Sequence, residues 1–412
     1  MNNSLLEIMA PAGSKESMSA AIHAGANSIY FGIEQLNMRA RSTNNFYLSD
    51  LKEVAKLCSS HGVKSYLTLN TIIYDHDLQL MRKIVDEAKE AGISAIIGSD
   101  HAVMNYCRKQ NMPLHISTQT NITNIETVEF FSAFADVMVL SRELTLQQVS
   151  LIHREIERRD ICGPSGKRVR LEIFGHGALC MAVSGKCYLS LHSHNASANR
   201  GACVQNCRRS YVVTDKEEGY ELEIDNEYIM SAKDLCTIDF LDKILDAGVG
   251  VLKIEGRGRA ADYVHVTTTC YREAADAITE GTYTPEKVEE WRKQLETVYN
   301  RGFWDGYYLG RKLGEWSKVY GSAATSKKIY LGKGVKYFDK IGVGEFLIES
   351  HDLKPNDTII ITGPTTGFLE TTVEEIRFDD SIVEKATQGQ NISFKVPGKI
   401  RPSDKLYKKV SA

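Results

Sequence analysis

The chain lacks a basic leader followed by an apolar stretch in its opening residues, MNNSLLEIMAPAG, and no apolar run anywhere approaches the ~18 residues of a membrane span. Those absences argue against secretion and membrane insertion, so the expected location is the cytoplasm. Basic excess is also missing. With 50 Lys and Arg against 53 Asp and Glu the net charge is −3, so a nucleic-acid partner has to be held by a local patch. Neither an HExxH helix nor a GxSxG elbow occurs, which removes the two most recognisable hydrolytic signatures but not an unfamiliar one. Cysteine is present in an odd number, nine, and in a reducing compartment this suggests metal ligation or small buried hydrophobes before disulfides.

What is present reads as a soluble globular protein: 42% apolar and 25% charged residues over 412 positions, long enough for a barrel-sized unit plus a smaller domain. From residue 5 to about 275 short apolar runs alternate with amphipathic segments such as DHDLQLMRKIVDEAKEAG, the order expected of βα units. Eight strands are expected, at Leu6–Met9, Ser28–Ile33, Lys64–Leu69, Ala95–Gly98, Leu114–Ser117, Val137–Leu140, Arg170–Phe174 and Val251–Glu255. In HAGANSIYFG, EAGISAIIGS and DAGVGVLKIE, an Ala-Gly pair closes a helix just before a strand, with glycine at the left-handed position. Repetition of this kind favours a closed, TIM-like (β/α)₈ barrel over an open sheet.

The expected layout is a barrel over 1–283, interrupted after its seventh strand by a cysteine-bearing insertion at about 175–231. A helical linker over 284–324 and a small antiparallel β-barrel over 325–412, signalled by a switch to period two, complete it.

Cys180, Cys187, Cys203 and Cys207 fall on the insertion, with six, fifteen and three residues between them, in a Gly-rich segment without helical period. Four such thiolates suit an iron–sulfur cluster or zinc, and spacing alone leaves both open, along with unligated cysteines. Cys58, Cys107 and Cys270 sit in helical patterns and read as core residues; Cys236, just past the insertion, is a competing ligand.

The run Glu172-Ile-Phe174-Gly-His-Gly177-Ala178-Leu179-Cys180, followed by Gly185-Lys-Cys187-Tyr-Leu189-Ser190, resembles the signature of peptidase family U-32. APAG, NMRAR, HISTQTNITN, KIEGR and ITGPTTG extend the likeness over nearly the whole chain. The family is named for a collagenase-like member, yet it includes tRNA-uridine, ribosomal-RNA cytidine and ubiquinone hydroxylation proteins. The resemblance implies a 4Fe-4S cluster on the inserted cysteines and, in the RNA branches, prephenate as hydroxyl donor. GACVQNCRR resembles the tRNA-hydroxylating branch, which favours Cys207 over Cys236 as the fourth ligand. It implies wobble-uridine hydroxylation of tRNA, with a collagenase-like peptidase and a non-catalytic iron–sulfur scaffold as alternatives.

Polar residues following the expected strands converge on one mouth in such a barrel. Arg39, Arg41, Asn70, Gln119, Arg142, Lys253 and Arg257 are candidates for binding a small carboxylate, because arginine offers the planar fork that a carboxylate matches. His176 and Glu255 are candidate proton-transfer groups. Each arginine has a structural alternative, such as Arg142 pairing with Glu143. Glu172 can point into the barrel or outward; an inward carboxylate needs Arg170 or Lys253 as partner. For RNA, Arg200, Arg208, Arg209 and Tyr211 border the cysteine loop, and KIRPSDKLYKK adds a second basic run. A Ser/His pair within SLHSHNAS is the one local hint of a hydrolytic nucleophile. The sequence leaves the oligomeric state open.

Overall fold

Parallel strands form where the apolar runs were found. In the structure, a computed structural model that describes residues 6–41, 45–209, 211–219, 221–224, 231–310, 314–317, 319, 321–379 and 381–412, the first seven are β1 (Glu7–Pro11), β2 (Ser28–Phe31), β3 (Lys64–Leu69), β4 (Ala95–Gly98), β5 (Leu114–Ile116), β6 (Val137–Val139) and β7 (Arg170–Gly177). The insertion then contributes a hairpin, β8 (Tyr211–Thr214) with β9 (Glu221–Ile224), and just past it β10 (Asp234–Cys236) runs antiparallel to the end of β7. The eighth barrel strand, β11 (Val249–Ile254), pairs in parallel with both β7 and β1 and closes the cylinder.

The strands separate two apolar layers by alternation. Met9, Tyr30, Tyr66, Ile97, Val137 and Val251 meet inside the barrel, whereas Ile8, Ile29, Leu67, Ile96 and Leu252 join the larger core beneath the helices. Those helices are α1 (Lys15–His23), α2 (Leu51–Ser60), α3 (Leu78–Ala91), α4 (His101–Gln110), α5 (Ile125–Ser132), α6 (Leu146–Arg159), α7 (Leu189–His194, in the insertion), α8 (Leu241–Asp246), α9 (Ala261–Glu280) and α10 (Pro285–Glu296). On α3, Met81, Ile84, Val85 and Ala88 are buried at three- and four-residue spacing while Arg82 and Lys83 stay outside. Each large apolar side chain so buried stabilises the fold by roughly 1.5–3 kcal/mol. Gly92 ends this helix at φ +82°, and Gly248 precedes β11 at φ +85°, left-handed conformations that side chains disfavour. Among the described residues no helix is long and apolar enough to cross a membrane.

The barrel interior is charged as well as apolar. Glu172 points inward: its Oε1 accepts from Lys253 Nζ at 2.8 Å, with the two side chains 0% and 6% exposed, and His115 Nδ1 stands 3.7 Å from Oε2. Nearer the amino ends of the strands, Glu7 accepts from the Tyr66 hydroxyl at 2.7 Å, Arg170 at 2.8 Å and Lys64 at 3.1 Å.

Beyond α10, β12 (Phe303–Trp304) pairs with β10, bringing the chain back to the insertion. An antiparallel sheet of eight strands follows: β13 (Ser326–Phe338), β14 (Val343–Ile348), β15 (Thr358–Gly363), β16 (Gly367–Thr372), β17 (Ile376–Phe378), β18 (Ser381–Val383), β19 (Asn391–Lys395) and β20 (Lys405–Ser411). It encloses its own core, including Leu331, Phe346, Ile361 and Leu406. The second half of the run read as a basic RNA patch, Lys405–Lys409, lies in β20, between β13 and β15. Its Lys408 pairs with Asp357 at 2.6 Å and Lys409 with Glu370 at 2.8 Å, so much of that charge is neutralised within the sheet. The sheet rests on the barrel through Phe368 and Ile360 against Ala20 and Ala261, with a Lys328–Asp262 ion pair at 2.9 Å.

Removing one member of the Glu172–Lys253 pair leaves a bare charge in the barrel. Lys253→Met should therefore cost ~3–5 kcal/mol of unfolding free energy in urea titrations, and adding Glu172→Leu should recover most of it. Equal stability of the single and double variants would show that the pair is not coupled.

Candidate active site

The carboxyl ends of the barrel strands surround a cavity of about 1020 Å³ that the insertion overhangs. Its floor is organised by Glu255, just past β11. Arg39 NH2 donates to Glu255 Oε1 at 3.1 Å and the Tyr30 hydroxyl lies 3.2 Å from Oε2. Burial alone would raise this carboxyl, but the charges of Arg39, Arg142 and Arg257 and the Tyr30 hydrogen bond outweigh it and hold the group below the usual carboxylate range. Glu255 is therefore an anion at neutral pH.

Arg257 is fixed by Thr68 Oγ1 and Asn37 Oδ1, both at 2.9 Å, and burial lowers its pKa to about 10 without discharging it at neutral pH. A Cβ at Gly32 would come within 2.2 Å of Arg257 NH1, so glycine there makes room for the guanidinium. Arg142 lies 3.8 Å above the Phe174 ring and donates to the Ala178 carbonyl at 3.1 Å; its buried Nε has no partner. The alternative pairing with Glu143 does not form, because that carboxylate takes the Ser141 hydroxyl instead. Asn70 reaches Ser117 Oγ at 3.4 Å, and Gln119 accepts from the same hydroxyl, completing a polar wall.

Cys180, Cys187, Cys203 and Cys207 all line this cavity as free thiols, Cys180 exposed and the others partly so. Burial pushes the Cys207 thiol up; Arg208 pulls it down, and Cys180, Cys203 and Cys187 are each near enough to raise it. Among the described residues no three His, Cys, Asp or Glu side chains stand close enough together to hold a metal ion. Convergence of four unpaired thiols beside a guanidinium nevertheless fits the donor chemistry of a thiolate-held cluster or zinc. Cys236 lies elsewhere, buried in β10 with its sulfur 3.8 Å from the Tyr271 hydroxyl, and Cys58, Cys107 and Cys270 are core residues.

Several expected site residues are placed otherwise. His176 is 1% exposed and does not line the cavity; it packs against Tyr263, Tyr271 and Phe303, with Nδ1 3.3 Å from the Tyr271 hydroxyl. The cause is a register shift beside β11: Phe174 pairs with Lys253 but His176 with Ile254, so Gly175 is an extra residue and the alternation reverses. Arg41 is exposed and also outside the cavity lining.

On the insertion, Arg200 clamps Asp77 at 2.5 Å and the Ile72 carbonyl at 2.7 Å, while Arg208 donates to the carbonyls of Leu179 and Ala232, each at 2.6 Å. Tyr211 donates to the Asn206 carbonyl at 2.7 Å. A long loop has many carbonyls to satisfy, and these groups tie it down rather than face a partner. Arg209 is exposed. In SLHSHNAS, Ser193 Oγ lies 2.5 Å from the Leu189 carbonyl and 2.8 Å from His194 Nδ1, and neither Ser193 nor His194 lines the cavity.

Tyr30, Arg259 and Arg301 line the cavity and were not anticipated. Tyr30 was legible as an inward strand residue, but Arg301 lies beyond the barrel sequence, where no periodic signal points at the mouth.

The model of Peptidase family U32 matches residues 13–318. The chain is 60% identical over 408 residues to a collagenase of Porphyromonas gingivalis (strain ATCC BAA-308 / W83), covering 99% of each. It is 28% identical over 411 residues to tRNA hydroxylation protein P1 of Bacillus subtilis (strain 168), covering 98% of this chain and 94% of that one. It is also 32% identical to a 23S rRNA 5-hydroxycytidine synthase of Escherichia coli (strain K12), covering 74% of this chain and 46% of that one.

Burial lowers the His176 pKa to about 3 from an ordinary value of 6.5. As pH falls between those values the unfolded chain takes up a proton that the folded chain refuses, so stability is full above pH 6.5 and lost on acidification. The slope from this group is ~1.4 kcal/mol per pH unit. Unfolding of His176→Gln should show a shallower acid dependence over that window; an unchanged slope would place the titration elsewhere.

Proposed function

The chain belongs to peptidase family U32, and on that premise we propose that it is an RNA-modifying enzyme that hydroxylates the wobble uridine of tRNA to 5-hydroxyuridine. The hydroxyl donor in this reading is prephenate, and the cofactor a 4Fe-4S cluster held by Cys180, Cys187, Cys203 and Cys207. The observation that carries it is the joining, in one cavity, of a four-thiol wall and a cationic floor around Glu255. A tRNA hydroxylation protein aligned along 98% of the chain supports the choice of substrate.

The bound cluster would supply redox and Lewis-acid capacity beside the substrate. The residues of the chain do the rest. Arg142, with an unpartnered Nε over Phe174, meets a carboxylate of the donor. Arg39 and Arg257 add positive potential, and Lys253 is held beneath by Glu172. Glu255, kept anionic, accepts a proton from the pyrimidine through Oε2.

A second reading, a collagenase-like peptidase, is favoured by the name of the 60% identical relative. Its local Ser/His pair, Ser193 and His194, lies outside the cavity lining.

Four measurements test these readings. The tRNA of a strain lacking the gene should lose 5-hydroxyuridine, and the intact gene but not Cys180→Ala should restore it. Anaerobically purified protein should carry iron and sulfide, whereas stoichiometric zinc without sulfide would exclude the cluster. Arg142→Lys should weaken donor use ~30- to 150-fold, about 2–3 kcal/mol, because lysine lacks the fork. Cleavage of collagen peptides by cluster-free protein, with an unchanged tRNA profile, would instead establish the peptidase.

A further inference from the structure

We propose that the cavity contains a second oxyanion subsite, apart from the Glu255 floor, formed by Arg259 and Arg301 around the Tyr299 ring. The guanidinium carbon of Arg259, in the loop after β11, lies 3.4 Å from the Tyr299 ring centroid, and that of Arg301, between α10 and β12, lies 5.1 Å from it. One ring thus carries two cations that arrive from different parts of the chain, and both line the cavity. Stacking fixes the plane of a guanidinium and leaves its N–H edge to donate sideways, the geometry that a carboxylate or phosphate oxygen pair requires.

Charge balance points the same way. Asp234 lies in the field of Arg301, Arg259 and Arg208. Arg301 takes it as an ion pair at 3.2 Å, with both side chains nearly buried, and Arg208 donates to main-chain carbonyls. Among the described residues Arg301 and Arg259 therefore face the same carboxylate at this wall. Among the described residues Arg259 has ring contacts and no side-chain hydrogen bond or ion pair, so its donors are open to the cavity. A fixed, partly desolvated guanidinium with open donors is completed by an anionic ligand group.

The ligand chemistry is an oxyanion borne by the substrate: a carboxylate of a small acid or a phosphate of an RNA strand. The subsite rests on the hydroxylation reading only for the origin of that oxyanion. Binding experiments on the full chain, purified anaerobically, separate the two sources. Probes are prephenate and a tRNA anticodon stem-loop, titrated against wild type, Arg259→Gln, Arg259→Lys and Tyr299→Leu, with unfolding midpoints recorded for each.

Arg259→Gln should weaken one probe ~30- to 150-fold, with Arg259→Lys recovering only part of the loss and Tyr299→Leu falling between. If the acid is the probe affected, the subsite takes a carboxylate. If the stem-loop is affected, with the slope of log affinity against log salt reduced by about 1, it takes a phosphate. Should both affinities stay within twofold in variants of unchanged midpoint, the subsite is refuted. Should Arg259→Gln be unstable, Arg259→Lys at an unchanged midpoint decides: full affinity for both probes overturns the proposal, and selective loss sustains it. Arg259-dependent binding together with an unaltered tRNA profile in the deletion strain would keep the subsite and discard the hydroxylation reading.

Discussion

A negative charge held at Glu255, in surroundings that disfavour charge, is the constraint to which the cavity loops answer. A carboxylate there stays ionised only while cations surround it, and the three that do so follow different strands: Arg39 after β2, Arg142 after β6 and Arg257 after β11. Each side chain is in turn fixed by its own contacts, Arg257 by Thr68 and Asn37, Arg142 by Phe174 and Ala178. One anion thereby couples loops that are far apart in sequence. The same logic descends the barrel axis, where Lys253 meets Glu172, and Arg170 with Lys64 meets Glu7. Every buried anion in this stack has a cation within hydrogen-bonding distance, and charge of either sign lost from a layer leaves the other bare.

How much of this the sequence discloses depends on which faces of an element are buried. The eight barrel strands were legible because their apolar runs are continuous and Ala-Gly joints punctuate them. The same continuity hides direction: in β7 seven of eight positions are buried, so nothing in the pattern says which way Glu172 points. Its direction emerges only from Lys253 on the neighbouring strand. His176 was read as facing the mouth because it follows the seventh strand, and the extra residue at Gly175, which the sequence does not signal, turns it away. At the other end of the chain, β20 was hidden by its lysines. A strand that neutralises its charges through Asp357 and Glu370 looks, in sequence alone, like a basic tail.

The insertion was legible in its cysteines and not in its arginines. Thiols that share one cavity wall are recognisable from clustering, because few other roles ask for four cysteines on a Gly-rich loop. Arginine has two roles in such a loop, satisfying carbonyls or meeting a partner, and both produce the same spacing. Arg200 and Arg208 took the first role. Arg259 and Arg301 were not legible as a pair because the ring that carries them, Tyr299, lies outside the eight-strand pattern.

The relatives bear names from two chemistries, and a cavity built this way gives a physical criterion for weighing them. Hydrolysis of a peptide needs an activated nucleophile beside donors for a developing oxyanion. This cavity has donors in abundance, but the local Ser/His pair, Ser193 and His194, lies outside its lining. A hydroxylation needs a redox-capable centre, an anchor for an acidic donor and a proton acceptor, and the thiol wall, Arg142 and Glu255 are of the kinds required. Identity in sequence measures how much of the scaffold two chains share. The charges and thiols that face the cavity bear more directly on which reaction that scaffold serves, and here they are of the kinds that the proposed hydroxylation calls for.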